Sequence, residues 1–509
     1  MTDASPPPPC APRRRLPSPL EGTAAERAAW IDAAATFARE QIDGLDKAPA
    51  VGTLGALANR LAAELSPPID DAPLEGGLPA ALDLLARAVP LSLNPAGPGY
   101  LAYIPGGGLP LAAVADLIAD ACNRFTGMST AAPGFARLEA DVLRWLTRSF
   151  GYGPEARGIL TSGGSIANLA AICTARIDAF GEQSDLRRAI AYTSSQAHHS
   201  ISKALRLAGI GRDNLRTVAV DADFRLNIDA LETTIAADRR AGLKPFLIVA
   251  AAGTTNTGAI DPLPQIADLC AREKLWFHVD GAYGGAFILS PRARERLAGI
   301  ERADSITFDP HKGLFLPYGT GCLLVADGHK LARAHQGNAH YLQDFTLIER
   351  EHEPPSHCDY SPELSRSFRG LRLWLPLVVH GVAAFRDALD EKFELAAAFE
   401  SALRRRIGDG IAIEIPTPTS LSIVTFRLRR REGETLDSWN ARNIDLLAGI
   451  NARSRVYLSS TMLPVDDGLA HTLRVCVLSF RTHQERIDAA LADLDATLTD
   501  LDSRESKGR

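Results

Sequence analysis

Between residues 158 and 325 the chain alternates short apolar runs with segments of helical periodicity. The runs that resemble strands are residues 158–160, 189–192, 217–220, 246–251, 275–279, 305–308 and 322–325. Helical segments at 165–180, 199–207 and 262–273 separate most of them. This alternation indicates an α/β fold with a largely parallel sheet covered by helices. Ligands in such sheets bind at the carboxyl ends of the strands, so we expect the functional residues in the loops that follow these runs.

The regions on either side of this alternation are different. Residues 24–65 are rich in alanine with apolar side chains at helical spacing, and 135–150 form an amphipathic helix. Residues 88–115 carry no charge but contain many prolines and glycines, which a membrane helix would not tolerate. A long helix is expected after residue 366, followed by a smaller α+β portion.

Composition excludes several classes of protein. The 509 residues are enough for two or three domains, and the net charge of −6 gives no electrostatic reason to expect a nucleic-acid partner. The seven cysteines include no CxxC pair, which argues against a zinc ribbon or disulfide framework and favours a reduced, cytoplasmic location. The N-terminal residues are Pro-rich without an apolar core, so we expect a disordered tail rather than a signal peptide, and no membrane anchor.

The first loop that could take part in ligand binding or catalysis runs from Thr161 to Ser165. Its sequence is TSGGS, and it lies between a predicted strand and a predicted helix. Glycines allow close approach of the backbone, and the free N–H groups at a helix start attract anions. These features are typical of a phosphate-binding turn. Many strand-to-helix turns are nevertheless rich in Gly and Ser for steric reasons alone.

Two further loops follow predicted strands. The segment SQAHHS at 195–200 contains His198 and His199, which could bind a metal, cap a helix or face solvent. No Asp, Glu or Cys lies nearby at ligand spacing, so we expect no metal. The segment GTTNTG at 253–258 contains Thr255 and is equally consistent with a simple turn.

The fourth feature is a pair of charged residues, Asp280 and Lys312, each following an apolar strand. A buried lysine loses its charge readily, and a neutral amine can form an imine with an aldehyde. The alternative is a plain ion pair between Asp280 and Lys312. Beside a phosphate-binding turn, a cofactor that carries both an aldehyde and a phosphate becomes the simpler explanation.

The segments TSGGSIANLAA, SQAHHSISKA, AAGTTNTGAIDPL, WFHVDGAYGG and DPHKG occur in this order at fitting distances. Together they resemble the group II decarboxylases that depend on pyridoxal 5′-phosphate, typified by aromatic L-amino-acid decarboxylase. The resemblance extends from about residue 100 to 381. It implies fold type I, a homodimer, and an amino acid as the substrate.

The resemblance also implies roles for individual residues. Lys312 would hold the cofactor as a Schiff base, Asp280 would pair with its ring nitrogen, and His198 would stack on its ring. The remaining cofactor contacts would come from Gly164, Ser165, Thr255, Ala282, Asp309 and His311. Tyr103 resembles a position that lines the substrate pocket.

The implied domains are a disordered tail (1–22), an N-terminal helical segment that wraps the partner (23–108), a cofactor-binding large domain (109–382) and a C-terminal small domain (383–509). Four departures from the family pattern are present. Asp309 stands where many members have Asn, and Gly313 replaces the usual Trp. The pocket segment PGGGLP stands in place of a Ser/Thr-rich one, and the segment LFLPYGTG after Gly313 is unlike that of the aromatic decarboxylases. We expect Gly313 to open space beside the lysine.

The resemblance predicts decarboxylation of an aromatic amino acid to an amine. In the family a tyrosine on a mobile loop returns a proton to Cα, and Tyr360, in the polar stretch 344–370, is the candidate here. The alternatives are a decarboxylation-dependent aldehyde synthase, an aminotransferase or lyase of the same fold, and a scaffold without cofactor.

Overall fold

The computed structural model describes residues 20–182, 185–337 and 356–507. They form two units, one made of residues 20–48 with 52–93 and the other of 49–51 with 94–507. Most of the predicted tail, 1–22, lies outside the described residues. Among the described helices, none has both the length and the apolar character needed to cross a bilayer.

The first unit consists of three helices, α1 (Ala24–Gly44), α2 (Gly55–Ala63) and α3 (Gly77–Ala88). Helix α1 begins with a capping box, in which Thr23 Oγ1 accepts the N–H of Glu26 and Glu26 Oε2 accepts the N–H of Thr23. Apart from Ala58 in α2, no residue of these three helices is buried in the described chain. The unit therefore leaves the apolar faces of its helices, including Trp30, largely exposed.

The second unit contains the alternating region and a C-terminal portion. Up to residue 337 its elements are β1 (Tyr100–Leu101), α4 (Pro110–Cys122), α5 (Pro133–Ser149), β2 (Arg157–Thr161), α6 (Gly164–Phe180), β3 (Ala189–Ser194), α7 (Ser200–Leu207), β4 (Leu215–Val218), α8 (Ile228–Arg240), β5 (Lys244–Ala251), α9 (Leu263–Glu273), β6 (Trp276–Asp280), β7 (Ser305–Phe308), α10 (Pro310–Gly313), β8 (Gly321–Val325) and α11 (Gly328–His335). All seven predicted strands and the predicted helices between them are confirmed.

Strands β2 to β8 form one sheet in the order β2-β8-β7-β6-β5-β3-β4. Strand β8 runs antiparallel to both of its neighbours, and the other pairs are parallel. Buried side chains alternate between the two faces. On β5, for example, Ile248 packs into the core on one face, whereas Leu247 and Val249 pack on the other. The sheet is thus covered on both sides, which confirms the predicted α/β class.

After residue 355 the elements are α12 (Arg369–Gly408), β9 (Ile413–Glu414), β10 (Ile423–Leu428), α13 (Leu436–Ala452), β11 (Tyr457–Val465), β12 (Gly468–Cys476) and α14 (Gln484–Lys507). A second sheet has the order β1-β11-β12-β10-β9, so the short strand β1 joins the C-terminal portion. Helix α12 is interrupted at Gly381, whose φ is 75°. This break adjoins the predicted boundary between residues 382 and 383, and that boundary stays a prediction.

Strand register determines where the loops meet. Asp280, the last residue of β6, lies opposite Ala251 at the end of β5 and Thr307 near the end of β7. The carboxyl ends of β5, β6 and β7 are therefore level, and the loops that follow them emerge at one edge of the sheet.

Candidate active site

A cavity of about 300 Å³ lies at this edge of the sheet. It is lined by nine of the eleven residues predicted for the site, which are Gly164, Ser165, His198, Thr255, Asp280, Ala282, Asp309, His311 and Lys312. They come from loops after β2, β3, β5, β6 and β7. Cavities of this size hold small-molecule ligands and cofactors.

The wall nearest β2 is the turn into α6. A Cβ atom on Gly164 would lie 2.8 Å from Oδ2 of Asp309 and 3.3 Å from Cβ of Ala282, so a side chain here would displace the carboxylate of Asp309. Helix α6 begins at Gly164 and spans 17 residues. The first N–H groups of a helix have no partner within it, and together with the dipole of α6 they can bind a phosphate.

Lys312 lies on the short helix α10 and forms an ion pair with Asp309, with 2.9 Å between Nζ and Oδ2. Asp309 is almost completely buried, whereas the lysine side chain is partly accessible from the cavity. Among the described residues, the ion pair of Lys312 is thus with Asp309 and not with Asp280. The simple Asp280–Lys312 ion pair considered from the sequence is absent from the described structure.

Asp280 projects from the end of β6. Its Oδ1 accepts the backbone N–H of Ala282 at 3.1 Å, and its Oδ2 accepts Nδ2–H of Asn168 at 3.0 Å. N–H donors thus orient both carboxylate oxygens at the end of the strand. Asp280 can therefore pair with a protonated ring nitrogen.

Two histidines also line the cavity. Nδ1 of His198 lies 2.8 Å from Oγ of Ser200, and burial lowers the pKa of His198 below its usual value. His311 donates its Nδ1–H to the carbonyl oxygen of Thr320 at 2.6 Å, and burial lowers its pKa as well. Both imidazoles are consequently neutral near pH 7, and His311 can present Nε2 as an acceptor.

Two predicted residues lie outside the cavity in the described chain. Tyr103 has a φ of 49° and is 53% exposed, and its carbonyl oxygen accepts a hydrogen bond from Arg474 at 3.1 Å. Tyr360 lines a separate cavity of about 610 Å³ together with Arg157. Burial raises the pKa of the Tyr360 hydroxyl, and Arg157 opposes that shift. Residues 344–355 of the stretch that contains Tyr360 lie outside the described residues.

Gly313 does not open space beside Lys312, and that expectation was wrong. A Cβ atom at this position would lie 2.1 Å from Cβ of Ala286. The backbone of α10 packs directly against the turn at Gly284–Leu289, so the volume that a side chain would need is already filled.

The segment PGGGLP is paired with a second unusual segment, LFLPYGTG. A Cβ atom on Gly107 would lie 2.5 Å from Cα of Phe315, whose φ is 61°. The hydroxyl of Tyr318 accepts the N–H of Gly106 at 3.2 Å, and its ring centroid lies 5.6 Å from that of His311. The two segments therefore interlock beside the cavity.

The sequence interpretation missed the residues behind Asp280, namely Asn168, Ser200 and His278. Asn168 lies four residues after Gly164 on α6, and His278 lies two residues before Asp280 on β6. Residues at these spacings share a face of their helix or strand. The spacing of Asn168 from Gly164, and of His278 from Asp280, is the feature of the sequence from which both residues could have been predicted.

Residues 95–429 match the family described as the pyridoxal-dependent decarboxylase conserved domain. The aromatic-L-amino-acid decarboxylase of Bacillus atrophaeus is 38% identical over 391 residues, which cover 77% of this chain and 79% of that protein. The chain belongs to the pyridoxal-dependent decarboxylase family. The family resemblance in the sequence is thereby confirmed, and so is a carboxy-lyase that uses pyridoxal 5′-phosphate.

Solved structures agree with the assignment of this chain to the pyridoxal-dependent decarboxylase family. The crystal structure of Oryza sativa TDC with PLP and tryptamine has a TM-score of 0.84 and 28% identity, and covers 94% of this chain and 99% of that chain. Rhodiola rosea 4-hydroxyphenylacetaldehyde synthase has a TM-score of 0.82 at 22% identity, again over 94% and 99% of the two chains. At that identity the second likeness concerns the fold alone.

The cavity of the decarboxylase fits this cofactor group by group. Lys312 can bond its aldehyde, Asp280 can accept its ring N–H, and the start of α6 can bind its phosphate. Among these cavity residues Asp309 is the exception, because its negative charge would repel a phosphate. When bound, the cofactor supplies a ring that accepts the electrons left on Cα as CO2 departs.

Proposed function

We propose that this decarboxylase converts an aromatic L-amino acid to its amine and CO2. The observation that carries the proposal is the convergence of nine predicted residues from five loops on one cavity that contains Lys312 and Asp280. The aromatic substrate is supported by the relative from Bacillus atrophaeus, named for aromatic L-amino acids. The ring of Tyr318 beside His311 also supports it, because aromatic side chains pack well against one another.

Within this proposal Lys312 carries the cofactor and Asp280 keeps the ring nitrogen protonated. His198 stacks on one face of the ring and Ala282 packs on the other. Gly164, Ser165 and His311 bind the phosphate, and Thr255 contacts the ring substituents. Asp309 positions Lys312 through their ion pair.

Two residues outside the cavity complete the proposed site. Tyr103 lines the substrate pocket, and Tyr360 returns a proton to Cα. For Tyr360 to act, it must reach the cavity of another subunit, since in its own chain it lines a different cavity.

We also propose a homodimer. On α4 the side chains of Val114, Leu117 and Ile118 are 47%, 58% and 43% exposed, and they share one face of the helix. Val378 and Val379 on α12 are likewise exposed. Apolar surface of this kind supports burial against a second copy. Sedimentation that shows a fully active monomer would contradict the proposal.

We propose a cytoplasmic location as well. The absence of a CxxC pair from the sequence supports it.

The test of function is a product assay on the purified holoenzyme with tryptophan, tyrosine, phenylalanine and hydroxylated analogues, and with glutamate and lysine as non-aromatic controls. We expect one amine per CO2 from an aromatic substrate. Aldehyde with ammonia and peroxide would instead identify an aldehyde synthase. Transfer of the amino group to the cofactor without release of CO2 would identify an aminotransferase.

The attachment site is tested by borohydride reduction of the holoenzyme followed by peptide mapping. We expect the label on Lys312, and Lys312→Ala should abolish turnover and labelling. Lys330→Ala is a matched control, because Lys330 pairs with Asp178 at 3.0 Å outside the cavity. A label on Lys330 or Lys203 would place the cofactor elsewhere.

A further inference from the structure

A chain of buried hydrogen bonds runs behind Asp280 and reaches His198. From one end to the other its members are Trp276, Ser305, His278, Asn168, Ser200 and His198. Asn168 is its branch point, since Nδ2 donates both to Oδ2 of Asp280 at 3.0 Å and to Oγ of Ser200 at 3.1 Å. Asn168 is 1% exposed and His278 is 0% exposed. Water therefore cannot replace these partners from the bulk solvent.

The direction of each bond follows from groups that can only donate or only accept. The carboxylate of Asp280 can only accept, so the NH2 group of Asn168 must face it and Oδ1 must face His278. Nε2 of His278 lies 2.9 Å from that Oδ1 and must carry a proton. Burial lowers the pKa of His278 to about 4, so the ring carries only this one proton near pH 7.

The remaining bonds are then fixed. Nδ1 of His278 has no proton and accepts the hydroxyl of Ser305 at 2.8 Å. The oxygen of Ser305 in turn accepts Nε1–H of Trp276, also at 2.8 Å. Every donor along this arm has an acceptor, which a buried polar network requires in order to be stable.

On the other arm, the backbone N–H of Ser200 points to Nδ1 of His198 at 3.3 Å. A backbone N–H can only donate, so Nδ1 of His198 is an acceptor. It also lies 2.8 Å from the hydroxyl of Ser200, whose oxygen already accepts from Asn168. The hydroxyl hydrogen of Ser200 therefore points to Nδ1, and the neutral imidazole of His198 carries its proton on Nε2.

We propose that Asn168 is a positioning residue that sets two groups of the site at once. Through its single NH2 group it orients the carboxylate of Asp280 and also turns the hydroxyl of Ser200 onto Nδ1 of His198, where that hydroxyl adds to the backbone N–H in keeping the imidazole proton on Nε2. His278 fixes the orientation of Asn168 by donating to its oxygen. The inference rests on the proposed function, because it concerns how Asp280 and His198 face the cofactor.

Two variants separate the arms of the network. Asn168→Leu is close in size and removes both donated bonds, whereas Ser200→Ala cuts only the arm to His198. Ser202→Ala is the matched control on the same helix, since the hydroxyl of Ser202 donates to the carbonyl of His199 on the exposed side. Circular dichroism and the unfolding temperature check that each variant folds.

The first measurement is the proton position on the histidines, read from nitrogen NMR of the apoprotein labelled with ¹⁵N-histidine. In the wild type we expect His198 and His278 each to carry one proton, on Nε2. In Asn168→Leu and Ser200→Ala the backbone N–H of residue 200 remains, so we expect the proton of His198 to stay on Nε2 while its Nδ1 signal moves toward that of a nitrogen with a weaker hydrogen bond. Ser202→Ala should match the wild type. A proton on Nδ1 of His198 in the wild type would overturn the inference.

The second measurement is the dissociation constant of pyridoxal 5′-phosphate on reconstitution of each apoprotein. Loss of a hydrogen bond to a charged group weakens binding on the order of tenfold, so we expect this for Asn168→Leu. Ser200→Ala should stay close to the wild type, because the bond to Asp280 is kept. Equal losses in both variants would show a merely structural role and overturn the inference.

These outcomes are distinct from failure of the proposed function. A protein with the expected histidine spectra and cofactor affinities that releases no CO2 from any amino acid would refute the decarboxylation and leave the network standing. An active decarboxylase with unchanged cofactor affinity and unchanged histidine spectra in Asn168→Leu would refute the network alone.

Discussion

Lys312 and Asp309 form a 2.9 Å ion pair within one turn of backbone, at the point where β7 ends and the cavity begins. The second oxygen of Asp309, Oδ1, is buried and has no hydrogen-bond partner among the described residues. An unsatisfied buried carboxylate oxygen is unfavourable, and a bound phosphate nearby would add repulsion. The pair therefore holds Nζ of Lys312 against a carboxylate at the position where covalent attachment takes place.

Asp309→Asn should consequently bind the cofactor more tightly. The amide removes the negative charge and can donate to a phosphate, and we expect the dissociation constant of pyridoxal 5′-phosphate to fall about tenfold, which corresponds to about 1.4 kcal/mol. Titration of the apoprotein, followed by absorbance, measures this. Weaker binding would mean that the ion pair with Lys312 favours cofactor binding by more than the repulsion between Asp309 and the phosphate opposes it.

Asp280→Asn should reduce the rate of decarboxylation by at least about a hundredfold. Both carboxylate oxygens accept N–H groups, from Ala282 and from Asn168, so the NH2 of an asparagine must face a donor on one side. The ring nitrogen also loses its anionic partner. Stopped assays of CO2 release at saturating substrate test the prediction, and near-normal activity would assign the partner of the ring nitrogen to another residue.

Hybrid dimers test the role of Tyr360. If Tyr360 serves the cavity of the other subunit, Tyr360→Phe should shift products from amine toward aldehyde and peroxide. A hybrid of a Lys312→Ala chain and a Tyr360→Phe chain should then restore the wild-type product ratio at its one competent cavity. Lys330→Ala in place of Lys312→Ala provides the control hybrid. Products that keep the Tyr360→Phe ratio in the hybrid would place Tyr360 at the cavity of its own chain, and products that never change in the variant would remove Tyr360 from the reaction.

The stability of the protein should fall in mild acid partly through His278. Burial lowers the pKa of His278 to about 4 in the folded protein, against about 6.5 in an unfolded chain. Between these values the unfolded state binds the additional proton, so the free energy of unfolding decreases as pH falls, by about 3 kcal/mol at most for this group.

The measurement compares unfolding temperatures at about pH 7 and about pH 5 for the wild type and for His278→Gln. We expect the wild type to lose more stability between the two conditions, because glutamine cannot take up the proton. Other buried histidines, such as His311, contribute equally to both proteins and cancel in the comparison. Equal losses would show that His278 is already protonated when folded.

Much of the fold and of the cavity could be predicted because parallel strands impose regular geometry. Each apolar run became a strand, and the loops after β5, β6 and β7 meet at one edge because Ala251, Asp280 and Thr307 are level in the sheet. Lys312 and Asp280 were therefore expected together, and both line the same cavity.

The details that could not be predicted depend on side-chain packing across elements. The partner of Lys312 is Asp309 in its own turn, because α10 begins directly after Asp309 and brings residues three positions apart within 2.9 Å of each other. The apparent gap at Gly313 is filled by Ala286, since a glycine in a sequence marks close approach as readily as empty space. Strand β8 is antiparallel to both neighbours, which its apolar composition alone does not reveal.

The interlock between Gly107 and Phe315 makes two distant stretches of the chain structurally dependent on each other. Any side chain at residue 107 would collide with the backbone of Phe315, whose left-handed conformation already constrains that strand-to-strand connection. A segment that carries a side chain at position 107 therefore cannot replace residues 105–110 alone without moving Phe315. An exchange of residues 105–110 should therefore include residues 314–320 as well, and chimeras should be cut so that both stretches come from the same parent.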